Sequence, residues 1–246
     1  MSDSHAFVPG VAIGHGYAYG GQTGCTVVLG PFRGAVEVRG MATGSRELGV
    51  LDPHHLVPRA DAVRLGGGSV FGLDAAQGVV DWLAERGRGY DTGIEPVPIV
   101  PAAVIFDLHA HGTRPDSETG RAACEAAEES MPLEGRVGAG RGATVGKVTG
   151  PDGAMPGGLG AWSVDHGGYR VGAVAVVNAL GDVLDGGGAI VAGARSPKGA
   201  FLDTAALLRG GGGASGEMGQ VVAGTNTTLA VVATDAPLSK VDLGRV

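Results

Sequence analysis

Gly224-Thr225-Asn226-Thr227-Thr228-Leu229-Ala230-Val231-Val232-Ala233-Thr234-Asp235-Ala236 is the stretch on which the reading of this chain turns. Its apolar run reads as a buried strand, and a small hydroxyl residue stands at the head of that strand directly after an asparagine. Opening the Asn226–Thr227 bond would give Thr227 a free α-amine beside its hydroxyl, a general base and a nucleophile on one residue. Threonine is also ordinary in strands, and an Asn-Thr-Thr start is most often structural. The stretch alone leaves both readings open.

Composition narrows the class. A chain of 246 residues predicts one large domain, 1–246, with a sizeable core. Glycine is the extreme component, 48 residues against a usual share of about 7%. No Gly-X-Y period is present and 43% of the residues are apolar, which argues against collagen and disorder and for a globular chain with close backbone approaches. The net charge of -7 disfavours nucleic acid as a partner. Cys25 and Cys124 are too few and too far apart for a disulfide framework or a zinc site, and read as two buried thiols. Residues 1–10 lack the features of a secretory signal, and the longest apolar stretches, near Val171–Leu180 and Val221–Ala233, are too short or too interrupted to span a bilayer. The expectation is a soluble cytoplasmic protein with no membrane partner.

Working outward from the terminal strand, Tyr169–Val177 is strongly strand-like and stops at Asn178. Val183-Leu184 and Ala189–Val191 are weaker strand candidates. Cys25–Leu29 and the alternating Ala35–Arg39 predict a hairpin joined by Pro31–Gly34. Ala60–Leu65 predicts a third strand leading into Gly66–Gly72 and a helix, in which Leu73, Ala76, Val80 and Leu83 share a face and Gly87 closes the end. Val97–Pro101 is extended before a buried strand over Ala102–Leu108. Asp116 or Ser117 caps a second helix ending near Glu129. Lys198–Leu208 is a short helix, and Leu208–Gly219 reads as a loop open to proteases. Strands outnumber helices, which predicts a layered α/β fold.

Several segments invite functional readings. Gly66–Gly72 lies between strand and helix, where phosphates bind, but lacks both the Gly-Lys-Ser/Thr ending and the Gly-x-Gly-x-x-Gly spacing. It reads as a tight turn that lets another layer approach. Ser69 is outside a Gly-x-Ser-x-Gly elbow and reads as a loop hydrogen-bonder. His54-His55 and His109-Ala110-His111 have no carboxylate or cysteine at a helpful interval, so no metal is expected there. His15 reads as packed near a turn, and Asp182 and Asp185 as turn residues. Asn178 ends an apolar strand, where a bare amide is costly. Its N–H can satisfy a backbone carbonyl or face a developing oxyanion. Lys147, after a glycine-rich run, fits beside the same site or in solvent.

The chain resembles the DmpA/BapA-like family of aminopeptidases and β-peptidyl aminopeptidases, which includes the nylon-oligomer hydrolases. The likeness runs through Val11-Ala12-Ile13-Gly14-His15, Thr23–Leu29, Arg39–Glu47, Leu65–Ala75, Val97–Leu108, Val137–Gly140 with Gly146-Lys147, Val176–Ala179 and Asn226–Asp235, in the expected order over nearly the whole chain. The resemblance implies an αββα sandwich of the N-terminal-nucleophile type, here lacking C-terminal strands. It also implies self-cleavage into a larger chain, 1–226, and a smaller one beginning at 227, and a homo-oligomer. By position it makes Thr227 the nucleophile, Asn226 the residue before the cut, Asn178 an oxyanion donor and Lys147 a positive or hydrogen-bonding group. Phe106, a pocket candidate, stands where some relatives carry tyrosine. The function implied is hydrolysis of peptides, amides or esters with a free amino group, with no cofactor. The alternative is a catalytically dead, shortened homologue that binds or assembles.

Overall fold

The structure, a computed structural model, describes residues 6–108, 112–210 and 224–246. Along the chain come strands β1 (Ala12–Tyr17), β2 (Gly24–Phe32), β3 (Ser45–Arg46) and β4 (Ala60–Gly66), then helix α1 (Ala75–Ala84). Next are β5 (Tyr90–Asp91), β6 (Pro96–Val97), β7 (Ala102–Val104), helix α2 (Ser117–Glu125), β8 (Thr144–Val145) and β9 (Met155–Pro156). The last elements are β10 (Gly158–His166), β11 (Tyr169–Asn178), β12 (Val183–Leu184), β13 (Ile190–Ala192), helix α3 (Thr204–Arg209), β14 (Thr227–Thr234) and helix α4 (Lys240–Leu243).

Two sheets carry the architecture among the described residues. The first has the order β1-β2-β4-β7-β3, antiparallel except where β4 and β7 run parallel. The second, β10-β11-β14, is antiparallel throughout. Alternation along β2 divides its side chains between two cores. Val28 joins Phe7, Ile13, Leu65, Leu159, Val174 and Val176 between the sheets, while Cys25, Val27 and Leu29 face α1 and α2 with Val79, Leu83 and Ala123. The layers therefore run helix, sheet, sheet. The outward row of the second sheet is exposed, with Trp162 74% and Val232 69% accessible.

Two glycines let the helices sit close. A β-carbon at Gly78 of α1 would overlap the Ser117 carbonyl oxygen, and one at Gly120 of α2 would overlap that of Ala75. The Asp116 side chain accepts from Thr119 N while the Thr119 hydroxyl meets the Asp116 N–H, closing a capping box at the start of α2.

The predicted β4, α1 and β11 lie where expected, and α2 is capped by Asp116 but ends at Glu125. On α1 Ala76 and Leu83 are fully buried as expected, but the valine that joins them is Val79, not Val80, and Leu73 lies in a 3-10 turn before the helix. The predicted hairpin does not form. β2 pairs with β1 on one edge and β4 on the other, so no edge is free for Ala35–Arg39, which is irregular with Val36 and Val38 exposed. The strand predicted over Ala102–Leu108 stops at Val104. Ala189 lies outside its predicted strand, which spans Ile190–Ala192, and the short helix starts only at Thr204. Most of the predicted Leu208–Gly219 loop lies outside the described residues. Among the described residues no helix is long and apolar enough to cross a membrane.

Candidate active site

The second sheet brings the end of β11 beside the start of β14, with Asn178 and Thr227 as register partners. Asn178 is fully buried, and every arm of its side chain is engaged. Its Nδ2 donates to the carbonyl oxygens of Phe106 and Thr225, both at 3.0 Å. Its Oδ1 accepts the Thr144 N–H at 3.0 Å and Lys147 Nζ at 2.9 Å. These contacts fix which end of the amide carries the hydrogens. An amide that ends a buried strand is thus satisfied and aimed at once.

Lys147 opens a 3-10 turn after Gly146, which has φ 69°. Its backbone is held by Leu180, whose carbonyl accepts the Lys147 N–H at 2.9 Å, and the Gly146 N–H donates to Gly181 O at the same distance. Lys147 Nζ donates to Asn178 O at 3.0 Å, to Asn178 Oδ1 at 2.9 Å and to Thr225 O at 3.3 Å. Three acceptors match the three protons of an ammonium. Burial pulls its pKa down to about 8.

Two donors, the Asn178 amide and the Lys147 ammonium, therefore converge on one backbone oxygen, that of Thr225. Asn226 and Thr227 follow directly and are half-buried. The Asn226 side-chain oxygen is buried without a hydrogen-bond partner among the described residues. Of the residues singled out from the sequence, Lys147, Asn178, Asn226 and Thr227 thus come together. Phe106 joins them through its carbonyl, while 38% of the residue remains exposed.

A neighbouring cluster was not visible in the sequence. The Asp107 carboxylate, at the end of the segment that leaves β7, accepts the Thr23 hydroxyl and the Gly68 N–H, both at 2.6 Å. β-Carbons at Gly67 and Gly142 would overlap this carboxylate. The Gly66–Gly72 loop is thus a cradle for an internal anion, and the expected approach of another layer is what its glycines permit. Ser69 holds φ 51° and bonds through its backbone N–H to Ile105 O at 3.0 Å. Behind the loop, Arg64 is fully buried and burial lowers its pKa, with the Asp107 charge among the influences opposing that shift.

The remaining candidates lie elsewhere. His54 is exposed and pairs through Nδ1 with Asp52 Oδ1 at 2.8 Å, a carboxylate interval the sequence reading overlooked. His109 and His111 lie outside the described residues, and among those described no group of three or more His, Cys, Asp or Glu gathers as metal ligands. His15 sits on β1, 3.0 Å from Thr26 Oγ1, with its ring against Gly138 in a 3-10 turn, as expected of a residue packed near a turn. Both cysteines are free and buried, and burial pushes the Cys124 thiol up to about 12. Asp182 is more than a turn residue: it accepts the Ala194 N–H at 3.0 Å and the N–H and hydroxyl of Thr204 at 2.7 and 2.9 Å. A concavity of about 340 Å³ between Leu51–Pro53 and α4 shares no residue with the Lys147–Asn178 cluster.

Comparison with known proteins adds to this geometry. The model of peptidase family S58 matches residues 6–246. An uncharacterized aminopeptidase of Mycobacterium leprae is 39% identical over 262 residues, covering 98% of this chain and 67% of that protein. A 6-aminohexanoate-oligomer endohydrolase of Kocuria sp. is 34% identical over 249 residues, covering 96% and 65%. Among solved structures, a β-aminopeptidase of Burkholderia sp. superposes with a TM-score of 0.62 at 21% identity, covering 97% of this chain and 63% of that one. The L-aminopeptidase D-Ala-esterase/amidase of Ochrobactrum anthropi, described as a variant of the Ntn hydrolase fold, gives 0.59 at 19%, covering 98% and 65%. These likenesses assign the Ntn hydrolase fold. The chain spans about two thirds of the length of these relatives.

Proposed function

The chain belongs to peptidase family S58, and from that premise we propose that it is a self-processing hydrolase of the aminopeptidase type with Thr227 as nucleophile. The observation that carries this reading is the convergence of Asn178 Nδ2 and Lys147 Nζ on the Thr225 carbonyl, with Thr227 paired to Asn178 across the strands. Donors held in place before charge develops are what acyl transfer requires.

In the first stage Thr227 Oγ1 attacks the Asn226 carbonyl carbon. The C–N bond breaks, an ester forms, and the hydroxyl proton ends on the departing nitrogen, which becomes the α-amine of Thr227. Water then hydrolyses the ester, leaving a carboxylate on Asn226. The donors engage Thr225 rather than the Asn226 carbonyl in the uncut chain, so this segment shifts by one carbonyl as the tetrahedral intermediate forms. In the second stage the freed amine, with a reference pKa of about 7.7–8.0, takes the hydroxyl proton as Thr227 attacks substrate. The substrate's C–N or C–O bond breaks, its amine or alcohol departs with that proton, and the acyl-threonine formed is hydrolysed by water to free acid and threonine hydroxyl. Substrates in this reading are small peptides, amides or esters with a free amino group; relatives carrying the names aminopeptidase and 6-aminohexanoate-oligomer endohydrolase support amide hydrolysis.

The purified protein, followed by intact mass spectrometry, is expected to yield the fragment pair 1–226 and 227–246. Thr227→Ala stays uncut and inert on aminoacyl esters and amides. Cleavage at another bond, or full activity in that variant, would remove this mechanism.

A further inference from the structure

We propose that Asp107 is a positioning residue that aims the Asn178 amide by fixing the Phe106 carbonyl. The inference rests on the reading of Asn178 as an oxyanion donor. It begins from the amide's own bonds: while one Asn178 Nδ2 hydrogen is directed at Thr225 O, the other is donated to Phe106 O, 3.0 Å away, and shares with the Thr144 and Lys147 contacts at Oδ1 the holding of that amide. The orientation of that carbonyl is therefore part of the site, although the Phe106 ring makes no hydrogen bond.

The Phe106 carbonyl belongs to the peptide plane that joins Phe106 to Asp107, and this plane is clamped on both sides. On the near side, Ile105 N–H donates to Gly66 O at 2.8 Å and Ile105 O accepts Ser69 N–H at 3.0 Å. On the far side, the Asp107 carboxylate is held by the Thr23 hydroxyl and the Gly68 N–H at 2.6 Å each. These are charge-assisted bonds to a residue only 7% exposed. The absence of side chains at Gly67 and Gly142 leaves room for that carboxylate. One end of the path is thus a buried anion boxed in backbone, and the other is an amide hydrogen directed at the reacting segment. Groups that orient a reacting side chain commonly matter by one to two orders of magnitude.

The test follows two readouts on the full chain. One is the rate constant of cleavage at Asn226–Thr227, by mass spectrometry. The other is the pair of Asn178 side-chain amide resonances in a 15N-labelled, uncut Thr227→Ala background, assigned by their loss in Asn178→Asp. Asp107→Ala is expected to shift or broaden the Asn178 resonances and slow cleavage by roughly 10- to 100-fold. Asp107→Asn, which retains an acceptor for Gly68 N–H in the same volume, returns the rate to within about threefold of the parent. If Asp107→Ala does not fold, Thr23→Val keeps the shape, removes one of the two clamps and slows cleavage about three- to tenfold. Unmoved Asn178 resonances in a folded variant overturn the proposal, and so does a shifted resonance with an unchanged rate. A parent protein that does not cut at this bond sinks the threonine mechanism instead, while the resonances still decide whether Asp107 aims Asn178.

Discussion

Lys147 is the residue whose charge state the site exposes to experiment. Its three donated bonds need all three protons, and burial lowers its pKa to about 8, so the ammonium is present below that pH and lost above it. In the uncut protein Thr227 has no free amine, so self-cleavage reports on Lys147 without a second titration near the same pH. The rate of cleavage is therefore expected to hold on the acid side of pH 8 and fall as pH rises through it. Lys147→Arg moves that limb beyond reach because guanidinium does not deprotonate in proteins. Lys147→Met slows cleavage about a hundredfold below pH 8, where the parent carries the ammonium, and removes the fall above it. A profile flat to pH 9.5 in the parent would remove the ammonium from the chemistry. At this scale the sequence was only partly legible. Asn178 was suspect on its own, as an amide closing an apolar strand, but Lys147 and Thr227 gained weight from the resemblance. Asp107 escaped notice because -Val104-Ile105-Phe106-Asp107-Leu108- reads as a continuing strand, and nothing local announces that Thr23 and Gly68, far away in sequence, supply its partners.

Among elements, the α1–α2 pair shows why glycine is so abundant. Each helix gives up a side chain where it meets a carbonyl of the other, Gly78 against Ser117 and Gly120 against Ala75. An alanine would gain about 1 kcal/mol of intrinsic helix preference, but inserted volume in a packed contact costs about 1–3 kcal/mol. With backbone oxygen as the obstacle the second effect wins. Gly120→Ala is expected to lower the unfolding free energy by about 1–2 kcal/mol in urea titration. A gain in stability would show that the helices are not seated this closely. Local signals exposed both helices, helical spacing for α1 with one position misplaced and the Asp116 cap for α2. Periodicity failed for Ala35–Arg39, whose alternation is genuine while the edge it needs is taken by β1 and β4, a fact held by the rest of the sheet. It failed in the opposite sense for β10, passed over because glycines at 158 and 160 weaken its strand preference and Trp162 and Val164 face outward.

The whole molecule is uneven in how it treats its two sheets. The first lies under α1 and α2, while Trp162, Ala173 and Val232 line up across the outward face of the second, with Val164 beside them. Contiguous apolar surface of this kind binds hydrophobic dyes and favours association. The chain is expected to enhance the fluorescence of anilinonaphthalene sulfonate at neutral pH. The paired change Trp162→Ser and Val232→Thr should lower that signal by more than half without altering circular dichroism. An undiminished signal would place the exposed apolar surface elsewhere. The layered α/β class could be read from the order of elements. How the layers share their faces could not, because it depends on which strands become neighbours.

The antiparallel seam between β11 and β14 runs from Asn178–Thr227 to Val171–Thr234, and Lys240 is tied to the Val50 and Val57 carbonyls beyond it. A break immediately upstream of Thr227 would leave this stitching whole. Maturation would then divide the covalent chain and yet release nothing. The newly exposed threonine would be presented at a fixed address on a two-piece molecule that still travels as one.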